Sequence, residues 1–289
     1  MDIGTKLHVS EEILLKAFNQ MMLAKAMADI YEENRNICKY VHSTSRGHEA
    51  IQLATAYQLT NEDWVSPYYR DESMLLGIGF ESYRLMLQLL AKSDDPFSGG
   101  RSYYSHPSSK EEDKPKIIHQ SSATGMQAIP TTGIAQGIQY IQEFNLKTYE
   151  KNPVVVCSLG DNSVTEGEVS EAFQFAALHQ LPIIFLVQDN EWGISVTKEE
   201  ARTSDAYDFA AGFVGLNRMK VDGTDFEASF EAMKKAVDFV RTERKPMLVC
   251  ASTVLIGHHT SGVRREFYRD EDDLEKHRAK DPGSILRNR

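Results

Sequence analysis

Residues 153–195 read PVVVCSLGDNSVTEGEVSEAFQFAALHQLPIIFLVQDNEWGIS, and this stretch decides the fold class. VVVCSL is an apolar run of strand length that ends in Gly160-Asp161. Glu166 to His179 has helical periodicity, and PIIFLVQ is a second apolar run, ending in Asp189-Asn190. Strands that are apolar throughout and alternate with helices belong to a parallel sheet covered on both faces. In such a sheet the carboxyl ends of neighbouring strands open onto one crevice, where ligands bind. Asp161 and Asn190 stand at two of those ends. A carboxylate and an amide oxygen are hard ligands suited to Mg²⁺, which commonly partners a phosphate. The main-chain carbonyl of Trp192 is a third candidate ligand. The backbone N–H groups of Gly160, Asp161, Asn162 and Ser163 precede a helix and suit a phosphate. Taken singly, Gly160-Asp161 reads as a helix cap and Asp189-Asn190 as a tight turn. Together, on adjacent strands, they favour the metal site.

The α/β pattern continues outward from this core. RMKV is a short strand, Asp225 to Arg241 a helix and MLVCASTV a final strand. Upstream, Ser10 caps a helix over 10–34, with an apolar stripe of Ile13, Leu14, Ala17, Phe18, Met21 and Met22. Further helices are expected over His48–Leu59, Phe80–Leu90 and Ala128–Phe144, with VSPYYRDES a loop or strand end. Small residues on the 128–144 helix suit close packing, so it is a candidate subunit interface. Residues 95–120, rich in Gly, Ser, Pro and charge, read as a long functional loop. The expected organisation is one domain over 1–289, with 1–60 a helical N-terminal segment. The charged C-terminal stretch from Phe267 reads as having no clear packed element.

Composition bounds the function. Of 289 residues, 41% are hydrophobic and 26% charged, as in ordinary globular chains. The net charge of −10 argues against nucleic-acid binding. No apolar run approaches the roughly 20 residues of a membrane span, and the N-terminus lacks the features of a secretion signal. A cytoplasmic protein with no membrane partner is expected. Cys38, Cys157 and Cys250 are far apart, and the last two lie in apolar runs, so they read as free thiols.

Gly-Asp-Gly, a helix, a strand and Asn-Asn form the thiamine diphosphate motif. The sequence GDNSVTEGEVSEAFQFAALHQLPIIFLVQDNEWGIS resembles that segment in α subunits of the E1 components of 2-oxo acid dehydrogenases. SRGHEA (GQEA in the family), SPYYRDES and IGHHTS extend the resemblance from about Leu14 to His259. Asn162 replaces the third motif Gly, and Asp189 the first Asn. Asn tolerates left-handed backbone better than most residues, so the turn survives that change.

The resemblance implies a thiamine diphosphate-binding fold, with thiamine diphosphate and Mg²⁺ as cofactors. It assigns the metal to Asp161, Asn190 and Trp192. Tyr69 and Arg70 match diphosphate contacts, Gly125 and Met126 lie in the segment approaching the aminopyrimidine ring, and Gln188 replaces a phosphate-binding Arg. His106 and His259 match two loop histidines facing the reacting carbon, with His258 a neighbouring competitor. The implied activity is oxidative decarboxylation of a 2-oxo acid, with acyl transfer to the lipoyl group of a separate E2 acyltransferase. The tandem His258-His259 followed by Thr-Ser leans toward branched-chain substrates; pyruvate and acetoin enzymes are alternatives. The Glu that activates the aminopyrimidine comes, in this family, from a β subunit. An α₂β₂ heterotetramer follows, or else the α half of an α–β fusion. A non-catalytic phosphate-binding subunit is the contrasting possibility.

Overall fold

The computed structural model describes residues 9–118 and 121–289. Residues 1–8, part of the expected helical N-terminal segment and of the N-terminus read for a secretion signal, lie outside the described residues. So do residues 119 and 120, at the end of the expected loop.

The first helix, α1 (Glu11–Glu33), is capped by Ser10, whose side chain accepts from the Ile13 N–H. It is followed by α2 (Glu49–Ala56), β1 (Trp64–Ser66), α3 (Glu72–Ile78), α4 (Ser82–Leu89) and β2 (Lys116–Ile117). The central alternation is α5 (Ala128–Glu143), β3 (Val155–Gly160), α6 (Gly167–His179) and β4 (Ile183–Asp189). A small antiparallel pair, β5 (Trp192–Gly193) and β6 (Val196–Thr197), leads to α7 (Lys198–Ala201) and α8 (Ala206–Phe209). Then come β7 (Asn217–Asp222), α9 (Phe226–Glu243), β8 (Met247–Ser252), α10 (Glu271–Arg278) and α11 (Pro282–Arg287).

Six strands form one parallel sheet in the order β2-β1-β3-β4-β8-β7. Successive residues of each strand face opposite sides. Val156, Ile184, Leu186 and Val249 therefore join Met21, Leu53 and Met233 in one apolar cluster, drawn from α1, α2 and α9. Val155, Cys157, Phe185, Val187 and Cys250 join Ala135, Ala172 and Phe173 in the other, under α5 and α6. Each large apolar side chain buried this way contributes about 1.5–3 kcal/mol. The expected three-layer α/β architecture is the observed one.

Local departures have identifiable causes. The segment read as VSPYYRDES holds strand β1 and, from Glu72, the short helix α3. The 95–120 loop contains the edge strand β2, which pairs with β1. Elsewhere that loop is tied down: Asp95 accepts from the N–H groups of Phe97, Ser98 and Gly100, and Arg84 pairs with Glu111. The C-terminal stretch is packed, contrary to expectation. Two of its acidic residues are helix caps, Asp270 accepting from Asp273 N–H and Asp281 from Ser284 N–H. Leu274, His277 and Leu286 are buried, and Arg46 bonds both Glu49 and Asp281. On α5 and at its C-terminal cap, Ile129, Tyr140 and Phe144 are exposed. No helix among the described residues is long and apolar enough to cross a membrane.

Candidate functional site

A cavity of about 530 Å³ opens where β1, β3 and β4 end. Gly160, Asp161, Asn162 and Ser163 form one wall, and Asn190 and Trp192 continue it from the neighbouring strand. Tyr69, Gly125, His106 and His259 complete the constellation expected from sequence. Arg70, Met126 and Gln188, also expected at the cofactor, do not line the cavity.

Register explains why the two turns meet. Gly160 pairs with Gln188, so Asp161 and Asp189 leave adjacent strands side by side. A buried carboxylate beside a partly buried one demands a counter-charge. Arg202 supplies it, with Nη1 2.6 Å from Asp161 Oδ2 and 2.8 Å from Asn162 Oδ1, and Nη2 2.6 Å from Asp189 Oδ1. Burial first, then Asp189, raises the Asp161 carboxyl to about 7, against the pull of Arg202. Asn162 does not use the left-handed backbone expected of it; its φ is not positive. It fits because residue 193 is glycine: a Cβ there would lie 1.6 Å from Asn162 Nδ2.

Asn190 is held from behind. Its Nδ2 lies 3.2 Å from His48 Nε2, and its Oδ1 accepts from the Trp192 N–H at 3.0 Å. His48 Nδ1 meets Gln188 Oε1 at 2.9 Å. Gln188 is therefore a structural hub and not a cavity contact. Its Oε1 also accepts from Gln52, while its Nε2 donates to Asp71 and Ser158. Those four partners use up the amide, which is why it has no group left for a ligand. Burial holds the His48 imidazole well below its ordinary pKa, and Arg70 adds to this.

Arg70 has a different task from the one expected. It is fully buried, and its Nη2 donates to the His259 carbonyl at 2.9 Å. Ser43 Oγ donates to the same carbonyl at 2.6 Å. Arg70 thus fixes the loop that carries His259. Burial first, then Arg70, pushes the His259 imidazole down to about 3, with a hydrogen bond to the Trp192 backbone acting the other way. His259 is therefore neutral at pH 7, and its Nδ1 is buried without a hydrogen-bond partner among the described residues. On the opposite loop, His106 Nδ1 lies 2.8 Å from the Tyr104 carbonyl. A carbonyl can only accept, so Nδ1 carries hydrogen and a neutral ring keeps its lone pair on Nε2. His258 instead lies near Glu32 and Glu266, outside the cavity lining.

Arg202, His48 and Gln127 were not singled out from sequence. Gln127 lines the cavity and donates to the Ser158 carbonyl at 2.9 Å. Arg202 lies twelve residues beyond Asn190 in a polar segment, with no pattern to mark it. His48 stands where the GQEA segment has Gln, and that position was the available clue.

The family model described as the dehydrogenase E1 component matches residues 19–289. The chain belongs to this family. It is 29% identical over 281 residues to 2-oxoisovalerate dehydrogenase subunit alpha 2, mitochondrial, of Arabidopsis thaliana, covering 96% of this chain and 57% of that one. It is 30% identical over 239 residues to 2-oxoisovalerate dehydrogenase subunit alpha of Bacillus subtilis, covering 82% and 69%. It is 28% identical over 292 residues to the pyruvate dehydrogenase E1 component subunit alpha of Mycoplasma pneumoniae, covering 100% and 75%. The chain spans little more than half the length of the plant relatives it matches.

For an E1 family member, the donors in this cavity fit a diphosphate–Mg²⁺ pair. Asp161 and Asn190 are buried on one wall, and their side-chain oxygens are of the hard type that Mg²⁺ takes. The Tyr68 hydroxyl, also at the cavity, is buried with no hydrogen-bond partner among the described residues. Such a group is left ready to meet an acceptor.

Proposed function

We propose that this chain is the α-type subunit of a 2-oxo acid dehydrogenase E1 component, using thiamine diphosphate and Mg²⁺. The observation that carries the reading is one cavity walled by Asp161, Asn190 and Trp192 and also lined by His106 and His259. Asp161, Asn190 and the Trp192 carbonyl would hold the cation. Tyr68 and Tyr69 would face the diphosphate. Thiamine diphosphate, when bound, supplies the carbon nucleophile and electron sink for decarboxylation of a 2-oxo acid.

The chain's own residues supply position and proton handling. Arg70 and Ser43 fix the backbone of His259, so its ring stays at the cavity wall. A neutral imidazole can accept a proton and later return it. His106 is suited to that role by its fixed tautomer, whereas His259, pushed down to about 3 chiefly by burial, is a weak base and would serve as a neutral hydrogen-bonding ring.

Branched-chain 2-oxo acids are the favoured substrates, supported by the names of the plant and Bacillus relatives and by His258-His259-Thr260-Ser261. The Mycoplasma relative keeps pyruvate as the second reading. A β subunit would supply the missing carboxylic acid in an α₂β₂ assembly, with the exposed Ile129, Tyr140 and Phe144 face of α5 a candidate contact. The acyl acceptor would be a lipoyl domain of an E2 acyltransferase.

Calorimetric titration of thiamine diphosphate with Mg²⁺, on this chain alone and mixed with its β subunit, tests the reading. Tight binding in the mixture, with 2-oxo acid decarboxylation, is expected. Loss of that binding in Asp161→Ala and Asn190→Ala would support the assigned ligands. Absence of binding to the wild-type mixture would overturn the proposal.

A further inference from the structure

An amide presents either its oxygen or its nitrogen, and only the oxygen can bind Mg²⁺. What decides the choice at Asn190 can be followed through buried side chains. The chain begins at the Arg70 carbonyl, which can only accept. It takes a hydrogen bond from Gln52 Nε2 at 3.2 Å, and this fixes the nitrogen side of Gln52. The same nitrogen lies 2.9 Å from Gln188, so the Gln188 atom there must be its oxygen. That oxygen also faces His48 Nδ1 at 2.9 Å, so Nδ1 carries hydrogen and Nε2 carries the lone pair. Nε2 lies 3.2 Å from Asn190, whose near atom must therefore be the NH₂ group. The far end agrees independently. The Trp192 N–H can only donate, and it meets the other Asn190 atom at 3.0 Å, which must be oxygen. Two main-chain groups with opposite requirements thus bracket a side-chain relay that is consistent in direction throughout. His48, Gln52 and Gln188 are all fully buried, so water offers them no alternative partners.

We propose that His48, set by Gln188 and Gln52, is a positioning residue that locks the Asn190 carboxamide with its oxygen available as the Mg²⁺ ligand. This rests on the metal assignment under the proposed function and adds the residues that orient it. Groups behind a ligand typically alter metal affinity by about 10–100-fold when removed. His48→Met keeps much of the volume but accepts no useful hydrogen bond, leaving the Asn190 amide held by the Trp192 N–H alone. His48→Gln keeps one donor and one acceptor, so it can restore the relay.

The test is the Mg²⁺ concentration dependence of thiamine diphosphate binding, measured by calorimetry on the full chain mixed with its β subunit. Thermal unfolding in EDTA is recorded beside it. His48→Met is expected to weaken the apparent Mg²⁺ affinity by about tenfold or more while remaining folded, and His48→Gln to stay within about threefold of wild type. Wild-type Mg²⁺ affinity in a folded His48→Met protein would overturn the positioning role and leave the proposed function standing. If His48→Met does not fold, His48→Gln decides, and a tenfold loss there would overturn the relay. No Mg²⁺-dependent binding by wild type would overturn both.

Discussion

Arg202 Nη1 lies 2.6 Å from Asp161 Oδ2, so the carboxylate proposed to hold a cation is already paired with one. The same guanidinium reaches Asp189, the residue that departs from the family's Asn-Asn pair. One guanidinium is thus shared between two carboxylates, so the pair retains capacity for a second cation on the cavity side.

Replacing Arg202 with Met therefore leaves the buried Asp161 carboxylate beside the partly buried Asp189. Breaking a fully buried pair costs about 3–5 kcal/mol, and partial exposure of Asp189 reduces that figure here. The melting temperature in EDTA should fall, and Mg²⁺ should raise it more than it does for wild type, because the cation replaces lost positive charge. Equal Mg²⁺-induced shifts in the two proteins would show that Arg202 and the metal do not share Asp161.

Asn162 and residue 193 should behave as a coupled pair. Gly193→Ala would bring a methyl into the Asn162 amide, where a Cβ lies only 1.6 Å from Nδ2. Overpacking of this kind costs about 1–3 kcal/mol. Denaturant midpoints should show Asn162→Gly recovering much of that loss in the double variant. Additive losses would mean that the two positions are independent.

Glu72 gives a pH dependence with a definite sign. It is fully buried, accepts from the Tyr104 hydroxyl, and is raised from 4.5 to about 7, chiefly by burial. Between these values the native protein retains a proton that the unfolded chain has released. Its contribution to stability is therefore present below about 4.5 and is lost as pH rises to about 7. Glu72→Gln removes this titration, so its melting temperature should gain on wild type from pH 4.5 to 7 and then hold a constant lead. A difference that does not change with pH would refute the assignment. Tyr104 also holds His106 through its carbonyl, so the 95–120 loop is anchored beside this group.

Asp281 tests the packed C-terminal stretch. It caps α11 and pairs with Arg46 at 2.8 Å, joining α11 to the N-terminal end of α2. Asp281→Ala should lower stability by about 1–2 kcal/mol through the lost cap and the lost partner. An unchanged denaturant midpoint would mean that the contact carries no energy.

How much was legible in advance depended on whether the information was local. Apolar runs of strand length, separated by a helix, determine a parallel sheet wherever they occur, so β3, α6, β4, α9 and β8 followed from pattern alone. Asp161 and Asn190 followed with them, because strand ends in such a sheet share a crevice. The C-terminal helices were missed because caps such as Asp270 and Asp281 look like solvated charge until the apolar side of Leu274 and Leu286 finds a partner.

What only the tertiary structure decided is which polar groups meet. Arg202 pairs with Asp161 across 41 positions and His48 meets Asn190 across 142, separations at which no periodicity operates. Arg70 reads as a phosphate ligand, yet it folds against the His259 carbonyl. Gln188 reads as a cofactor contact, yet its whole amide is used inside the core. The sequence by itself determined the strands β3, β4, β7 and β8 and the residues at their carboxyl ends, through their apolar runs, while β1 and β2 joined the sheet only in the fold. The partners of the buried polar groups were decided by packing, because a donor or acceptor removed from water takes the nearest complementary group that the fold brings to it.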